Sequence, residues 1–276
     1  MQVRGIIIPM EKIGLIAGNR KLPILFSEAV KRKGHQLVVV AIKGDTSAGI
    51  KKYADKLYWL GLDEFSAMFE VFKQEGITKI VMAGQISPQR LFSKEVQRDP
   101  ELKALLESVK NKSADTIFGA IAQKLEGLGF KLLSSTTFIE ELLVKKGTLT
   151  QRKPGFQEWE DVYFGLELAK AVAYLDIGQA VAVKDKAIVA VEALEGTDNL
   201  IRRAGRLVRG GITVVKVSKP KQDLRFDIPV VGLNTLKNIV RSKVSCLAVE
   251  AEKTIFIDRE ASVALADKKG VSIVAV

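Results

Sequence analysis

At 276 residues, 47% hydrophobic and 27% charged, the chain is long enough for two domains of ordinary size and has a globular rather than a disordered balance. Its one cysteine and one histidine exclude an intramolecular disulfide, a structural zinc site and a histidine-rich dinuclear centre, so hydrolysis here has to run on carboxylates, lysines, arginines and a metal. With 43 Lys and Arg against 32 Asp and Glu, a formal net charge of +11, the chain favours anionic partners, although its lysines are dispersed and no block of like charge forms an arm or tail.

The first half alternates strand-like and helix-like segments. "KIGLIAG" reads as a short strand ending at Gly18, and "LPILFSEAVKRKG" as a helix with Pro23 in its first turn. "HQLVVVAIKG" and "KLYWLG" are strands, with His35 expected at the surface in the turn entering the first of them. The helical "DEFSAMFEVFKQEG", the strand "TKIVMAGQIS" and the helices "PELKALLESVK" and "SADTIFGAIAQKLEGLG" follow, the last capped by Ser113 or Asp115. "FKLLSSTTF" closes the series. Apolar strands alternating with helices imply parallel βα units covered on both faces, hence an α/β, doubly wound, Rossmann-like domain over residues 1–134.

A boundary zone, "VKKGTLTQRKPGFQEWED", carries Gly, Pro and Thr with little periodicity. Beyond it, residues 135–276 read as a mixed α+β domain that begins with the helix "EDVYFGLELAKAVAYLDIG". "QAVAVKDKAIVAVEAL" is a hairpin turning at Lys184-Asp185-Lys186, and "CLAVEAEKTIFID" reads as a second hairpin through Ala251-Glu252-Lys253. Cys246 lies in an apolar run and is expected to be a buried small hydrophobe rather than a nucleophile. "ITVVKVSKP" is a further strand, and "TDNLIRRAGRLVRGG", "NTLKNIVRSK" and "REASVALADKKG" are helical.

Three stretches carry chemistry. In "GLIAGNRKLP" a strand, a glycine turn at Gly18 and a helix start are compatible with an anion cradle and equally with an ordinary tight turn. Asn19, with Gln85 of "MAGQISP" on the same sheet edge, could read a base or sugar. In "VEALEGTDNLIRR", Glu192 and Glu195 end a strand and Thr197 or Asp198 caps a helix carrying Arg202 and Arg203. This is a routine cap, and also what a metal-bridged diphosphate requires. "VVKVSKPKQDLRFDIP" gathers Lys216, Lys219, Asp223, Arg225 and Asp227. In an extended segment Asp223, Arg225 and Asp227 would share a face, two carboxylates for a hard cation and an arginine for phosphate. A solvated charged face explains the same pattern.

The order "LIAGNRKLP", "VMAGQISP", "LDIGQAVAVKDKAIVAVEALEGTDNLIRRAG", "KVSKPKQDLRFDIPVVGLNT" and "ADKKG" resembles, over essentially the whole chain, the UDP-2,3-diacylglucosamine pyrophosphatase family of the lipid A pathway, the branch unrelated to calcineurin-like phosphoesterases. The resemblance implies an N-terminal Rossmann-like domain, a C-terminal domain peculiar to the family, and an acylated ligand held between them. It implies magnesium-dependent hydrolysis of UDP-2,3-diacylglucosamine to UMP and 2,3-diacylglucosamine 1-phosphate (lipid X), with an essential aspartate in "QDLRFD", either Asp223 or Asp227. On that reading Asp223, Arg225 and Asp227 are catalytic, and magnesium falls to Asp223 and Asp227 with Glu192, Glu195 and Asp198 as further ligands. The substrate side comprises Gly18, Asn19, Gln85, Gln179, Thr197, Arg202, Lys216, Lys219, Gln222 and Thr235.

A non-catalytic nucleotide-sugar or lipid-binding protein would use the same residues. Nucleic acid is not an expected partner, since aromatics are 7% and no nucleic-acid motif is present. No apolar run is long enough to cross a bilayer and no secretory pattern opens the chain. A cytoplasmic enzyme, peripheral on the inner face of the inner membrane where its acylated substrate resides, is therefore expected; a homo-oligomer is compatible with the sequence.

Overall fold

A computed structural model of the chain describes residues 10–87, 90, 93–111, 114–220 and 222–276. The Ser113 cap lies outside the described residues, as does the side chain of Asp115. Two compact units emerge. One comprises the chain up to Ile139 together with Asp223–Asp227, the other Glu140–Gln222 and Ile228–Val276. A single cut at 134 is thus replaced by an exchange: a short piece from the second half of the sequence folds with the first unit.

In the first unit, strands β1 (Lys12–Ala17), β2 (Gln36–Ile42), β3 (Lys56–Leu60), β4 (Lys79–Ala83) and β5 (Lys131–Leu132) form a parallel sheet in the order β3-β2-β1-β4-β5. Helices α1 (Leu22–Arg32), α2 (Phe65–Gln74), α3 (Pro100–Ser108) and α4 (Ala114–Gly127) connect the strands. The unbroken apolar run of β2 follows from burial on both faces. Val38, Val40 and Ile42 pack into a core with α2, α3 and α4, while Leu37, Val39 and Ala41, pointing the other way, are also fully buried. Asp99 starts α3, its Oδ1 accepting from Leu102 N at 2.9 Å and its Oδ2 from Ser66 N at 2.9 Å. The strand order reverses between β1 and β4, which makes their carboxyl ends the switch point where open α/β sheets bind ligands.

The second unit holds a six-stranded mixed sheet. Its strands are β6 (Gly147–Thr148), β7 (Ala180–Lys184), β8 (Ala187–Val191), β9 (Ile212–Lys216), β11 (Val244–Val249) and β13 (Ser272–Ala275), in the order β6-β13-β11-β9-β7-β8. The short β10 (Val230–Val231) and β12 (Ile255–Phe256) pair separately. Helix α5 (Phe156–Tyr174) covers one face, with Val162 and Ala169 against Val181, Val215, Cys246 and Ala248. On the other face α6 (Thr197–Leu207), α7 (Leu233–Arg241) and α8 (Arg259–Lys269) bring Leu200, Leu236 and Ala266 against Val214, Leu247 and Ile273. Val214 and Val215 go to opposite cores, as the period of a strand requires.

Five details differ from the sequence reading or sharpen it. Helix α5 opens at Phe156 rather than Glu160, because Glu158 accepts from Gly155 N at 2.8 Å and locks Arg152 at 2.7 and 2.9 Å. The β7–β8 hairpin turns as expected, with Asp185 and Lys186 at φ +51° and +57°, and their N–H groups donate to the buried Asp161 carboxylate at 3.2 and 2.7 Å. The second hairpin does not form: β11 runs parallel between β9 and β13, and the chain leaves the sheet before β12 joins β10. His35 is buried, not superficial, with Nδ1 accepting from Glu11 N at 3.1 Å and its ring 5.0 Å from that of Phe138. Cys246 is fully buried, and burial pushes its thiol up to about 12, which fits a packing role. No described helix is long and apolar enough to cross a membrane.

Candidate functional site

The Asp223–Asp227 segment is a turn, not an extended strand. Phe226 N and Asp227 N both donate to Asp223 O, at 3.2 and 2.9 Å. The shared strand face expected for Asp223, Arg225 and Asp227 therefore does not exist, and the two aspartates are related by the turn instead. Asp223 grips Arg225 from both ends: Oδ1 accepts from Arg225 N at 3.1 Å and Nε at 2.9 Å, and Oδ2 accepts from Nη2 at 2.6 Å. Arg225 Nη1 reaches Glu126 Oε1 at 2.5 Å. The guanidinium holds the Asp223 carboxyl below its ordinary range, against burial, which acts the other way.

Ser135 fixes this turn to the carboxyl edge of the first sheet. Its N–H donates to Leu224 O at 2.8 Å, and its hydroxyl lies 2.9 Å from both Arg225 O and Met82 O. Phe226 packs into the core of the first unit, its ring 6.1 Å from that of Phe118. The turn is thus as firmly part of this unit as any of its own loops.

At the switch point the loops after β1 and β4 cross. Gly18 N donates to Ala83 O at 2.9 Å and Asn19 N to Gln85 O at 2.7 Å, so these two amides are not available to cradle an anion. Between the open readings of that turn, the structure selects the tight crossing. A Cβ on Gly18 would lie 2.5 Å from Gln85 O, and one on Gly84, at φ +88°, 2.5 Å from Asn19 O. Asn19 Nδ2 donates to Asp45 Oδ1 at 3.2 Å and Ser87 Oγ at 3.3 Å, and its buried Oδ1 has no partner among the described residues. Asp45, its side chain 1% exposed, also accepts from Ser87 Oγ at 2.7 Å and Arg90 Nη1 at 2.7 Å. Burial alone would raise its pKa; the hydrogen bonds from Ser87, Asn19 and Arg90 outweigh that and lower it. The Gln85 side chain is exposed beside this network.

In the second unit four residues singled out from the sequence come together. Lys216, ending β9 and 7% exposed, donates from Nζ to Thr197 Oγ1 at 2.7 Å. Thr197 opens α6 and donates to Glu192 Oε1 at 3.0 Å, while Glu192 Oε2 accepts from Gln179 N at 3.3 Å. The pairing of β7 with both β8 and β9 is what brings these chain-distant groups to one sheet edge. A buried ammonium beside a hydroxyl at a helix N-terminus can receive phosphate oxygens.

The other residues singled out from the sequence have partners elsewhere. Glu195 pairs with Arg203, and Arg202 donates to Asn199 Oδ1 at 2.6 Å. Asp198 Oδ2 accepts from Asn234 Nδ2 at 2.5 Å, tying the starts of α6 and α7, and Thr235 is buried in the first turn of α7. Lys219 gives its Nζ to Asp176 Oδ1 at 2.5 Å and its N–H to Gln222 Oε1 at 2.5 Å. Among the described residues no three His, Cys, Asp or Glu side chains gather as a metal cluster, so the five-carboxylate set is not one cage. Magnesium is commonly held by one or two carboxylates with the substrate's phosphates and water, so the absence of a larger cluster does not by itself bear on Asp223 and Asp227.

Sequence reasoning missed Glu126, Asp45, Arg90, Asn234 and Glu250. Each meets its partner across a long stretch of chain, and no spacing rule marks it. Asn234, Glu126 and Glu250 lay inside quoted segments, as did Ser87, but nothing in those segments singled them out.

Comparison with known proteins matches residues 12–142 to the LpxI N-terminal domain and residues 145–274 to the LpxI C-terminal domain. The chain is 29% identical, over 97% of its length and 98% of the relative's, to the UDP-2,3-diacylglucosamine pyrophosphatase LpxI of Caulobacter vibrioides. Among solved structures it resembles the biotin carboxylase domain of Hydrogenobacter thermophilus 2-oxoglutarate carboxylase (TM-score 0.30, 16% identity, 65% of this chain and 36% of that one). It also resembles the N5-carboxyaminoimidazole ribonucleotide synthetase purK (TM-score 0.28, 15% identity, 78% and 43%). The chain spans under half of either, and likenesses this slight carry neither fold nor function. Two family domains, spanning it nearly end to end, make this chain a member of the LpxI family.

Proposed function

We infer that the chain hydrolyses the diphosphate of UDP-2,3-diacylglucosamine, giving UMP and 2,3-diacylglucosamine 1-phosphate in lipid A biosynthesis. The full-length match to a relative named for that pyrophosphatase activity carries the reading. In the reaction a water oxygen bonds to one phosphorus, the bridging P–O bond breaks, and the bridging oxygen leaves with its electron pair on the other phosphate. The water's proton passes to a carboxylate or to solvent.

This chemistry needs charge neutralised on the diphosphate rather than a covalent intermediate. Asp223 and Asp227 are the proposed holders of magnesium, which when bound supplies positive charge at the anhydride. Arg225, already oriented by Asp223 and Glu126, is the proposed phosphate clamp of the first unit. Lys216 with Thr197 is the phosphate-binding candidate of the second. Because the proposed substrate carries acyl chains and the net charge is +11, a peripheral position on the cytoplasmic face of the inner membrane is part of the proposal.

The test is UMP release from UDP-2,3-diacylglucosamine with magnesium and with a chelator. Release that the chelator stops supports the whole reading. Release that persists in chelator removes the metal. A protein that binds the nucleotide lipid and releases no UMP is a binder, and the enzyme assignment falls.

A further inference from the structure

Helices α6, α7 and α8 end where the parallel strands β9, β11 and β13 begin, so their closing turns meet at the amino edge of the second sheet, the end remote from Lys216. Those turns bring Arg206, Arg209, Arg241, Lys243, Lys268 and Lys269 to that edge, all exposed. Lys184 of the β7–β8 hairpin joins them, its Nζ 3.8 Å from where a Cβ on Gly211 would stand. None of these cations has an ion-pair partner among the described residues, whereas Lys186 in the same hairpin pairs with Glu160. A helix carboxyl end carries roughly half a negative charge, so three such ends offset only a minority of them. The carboxylates at this edge are fewer, and Asp161 and Asp267 are already used, by the hairpin amides and by Gln151 N at 2.8 Å.

Between the α7–β11 and α8–β13 turns lies a cavity of about 280 Å³, its walls including Val240, Lys243, Ser245, Lys269 and Gly270. Arg152 ties the two turns together, donating from Nε to Gly270 O at 2.6 Å and from Nη2 to Ser245 O at 2.6 Å. Those two carbonyls are thereby engaged and do not confront an anion. Lys243 stands at φ +54°, where the corresponding turns use glycine, Gly210 at +70° after α6 and Gly270 at +66° after α8. A side chain is disfavoured in that conformation. The strained residue is the one that sets an ammonium on the cavity wall. The register of β11 on β9 also slips between Val244 and Cys246, so the strand is irregular where it borders the cavity.

We propose that this cavity binds a phosphate group, carried by a phosphorylated small molecule or by the head group of an anionic lipid. Lys243 and Lys269 supply the charge from its two turns, and the unpaired cations around them draw anions to the edge. The site is separate from the Thr197–Lys216 edge, and the proposal does not depend on the substrate reading above.

The experiment follows amide NMR shifts of the full chain titrated with inorganic phosphate, against sodium chloride at matched ionic strength. A second arm measures co-sedimentation with vesicles of phosphatidylglycerol in phosphatidylcholine, or of phosphatidylcholine alone. Both are run on the wild type, Lys243→Gly and Lys269→Gln. Glycine is at ease at φ +54°, so the first variant relieves strain rather than adding it, and the second changes an exposed side chain. Phosphate should move the amides of residues 243–245 and 269–271, and each variant should weaken that response at least tenfold, with UMP release unchanged. Vesicle binding that requires phosphatidylglycerol and falls at least tenfold in both variants, without a response to inorganic phosphate, supports the site and assigns it to a lipid head group. Shifts that chloride reproduces, shifts confined to other segments, or wild-type binding of both probes by both variants overturn the proposal. Loss of turnover in the variants also overturns it, because the lysines would then belong to the site already described. The binding arms read the cavity whether or not UMP is released.

Discussion

Asp223 and Arg225 stand two positions apart and are joined side chain to side chain, with Arg225 Nε at 2.9 and 3.1 Å from the two carboxylate oxygens and Nη2 at 2.6 Å. With Glu126 on the far side of the guanidinium, the group carries more negative than positive charge. On the proposed mechanism this charge would attract a divalent cation, and an incoming phosphate would meet an arginine already turned and held. Asp223→Ala should lower UMP release at least a hundredfold with the circular dichroism spectrum unchanged. Asp227→Ala distinguishes the two aspartates, since it leaves the Asp223 fork onto Arg225 in place. Near-wild-type turnover in a folded double variant would remove the turn from the mechanism.

Lys216 gives a second prediction, independent of the first unit. Lys216→Met keeps the volume but removes the ammonium, leaving Thr197 and the buried Glu192 without a counter-charge. Activity should drop at least a hundredfold, and stability by about 1–3 kcal/mol, as expected when a buried carboxylate loses its cationic neighbour through a hydroxyl. Thr197→Ser retains the hydroxyl relay and should stay within severalfold of wild type. Steady-state kinetics and urea midpoints on the same samples check both. If Lys216→Met turns over normally, the ammonium is structural.

Much of the fold was legible in the sequence because local pattern and tertiary role coincide. The run "LVVVAI" must be buried on two faces, and "KDK" between alternating apolar residues must turn. The second hairpin failed for the same reason that β11 is apolar: a strand buried on both faces looks alike whether its neighbour is antiparallel or parallel. Glu192, Thr197 and Lys216 were legible as chemistry, each at a strand end or helix start, although their meeting depends on strand order. Asp223, Arg225 and Asp227 were legible as residues and misread as geometry. The extended reading followed the two-residue alternation of a strand, whereas the Asp223 carbonyl closes a turn. That this turn belongs to the first unit is written in Ser135 and Phe118, about a hundred positions away, where no local rule reaches.

The crossing at Gly18 predicts a purely steric effect. Gly18→Ala sets a methyl 2.5 Å from Gln85 O, an approach that backbone cannot relieve without separating the loops after β1 and β4. The cost should be about 1–3 kcal/mol, read as a lower urea midpoint. Gly84→Ala adds the left-handed penalty at φ +88° to a similar clash and should cost more. If both variants unfold with the wild-type midpoint, the two loops are not crossed.

Glu250 supplies the pH prediction. Its Oε2 accepts from Ser218 N at 2.9 Å, Ser218 Oγ at 2.7 Å and Lys170 Nζ at 2.5 Å, and its Oε1 from Lys253 at 2.8 Å. Burial alone would raise the carboxyl; Lys170, Lys253 and Ser218 together bring it down to about 2. A carboxyl depressed in the folded state stabilises above its unfolded value, near 4.3, and that contribution fades as pH falls from there toward 2. After allowance for solvent screening it is worth about 1–2 kcal/mol at neutral pH. Glu250→Gln should therefore lose about that much at pH 7, measured by urea unfolding, yet converge on the wild type as the pH is lowered toward 2.5. Parallel stability curves for the two proteins from pH 7 to pH 2.5 would mean that Glu250 is not the depressed group that the four hydrogen bonds require.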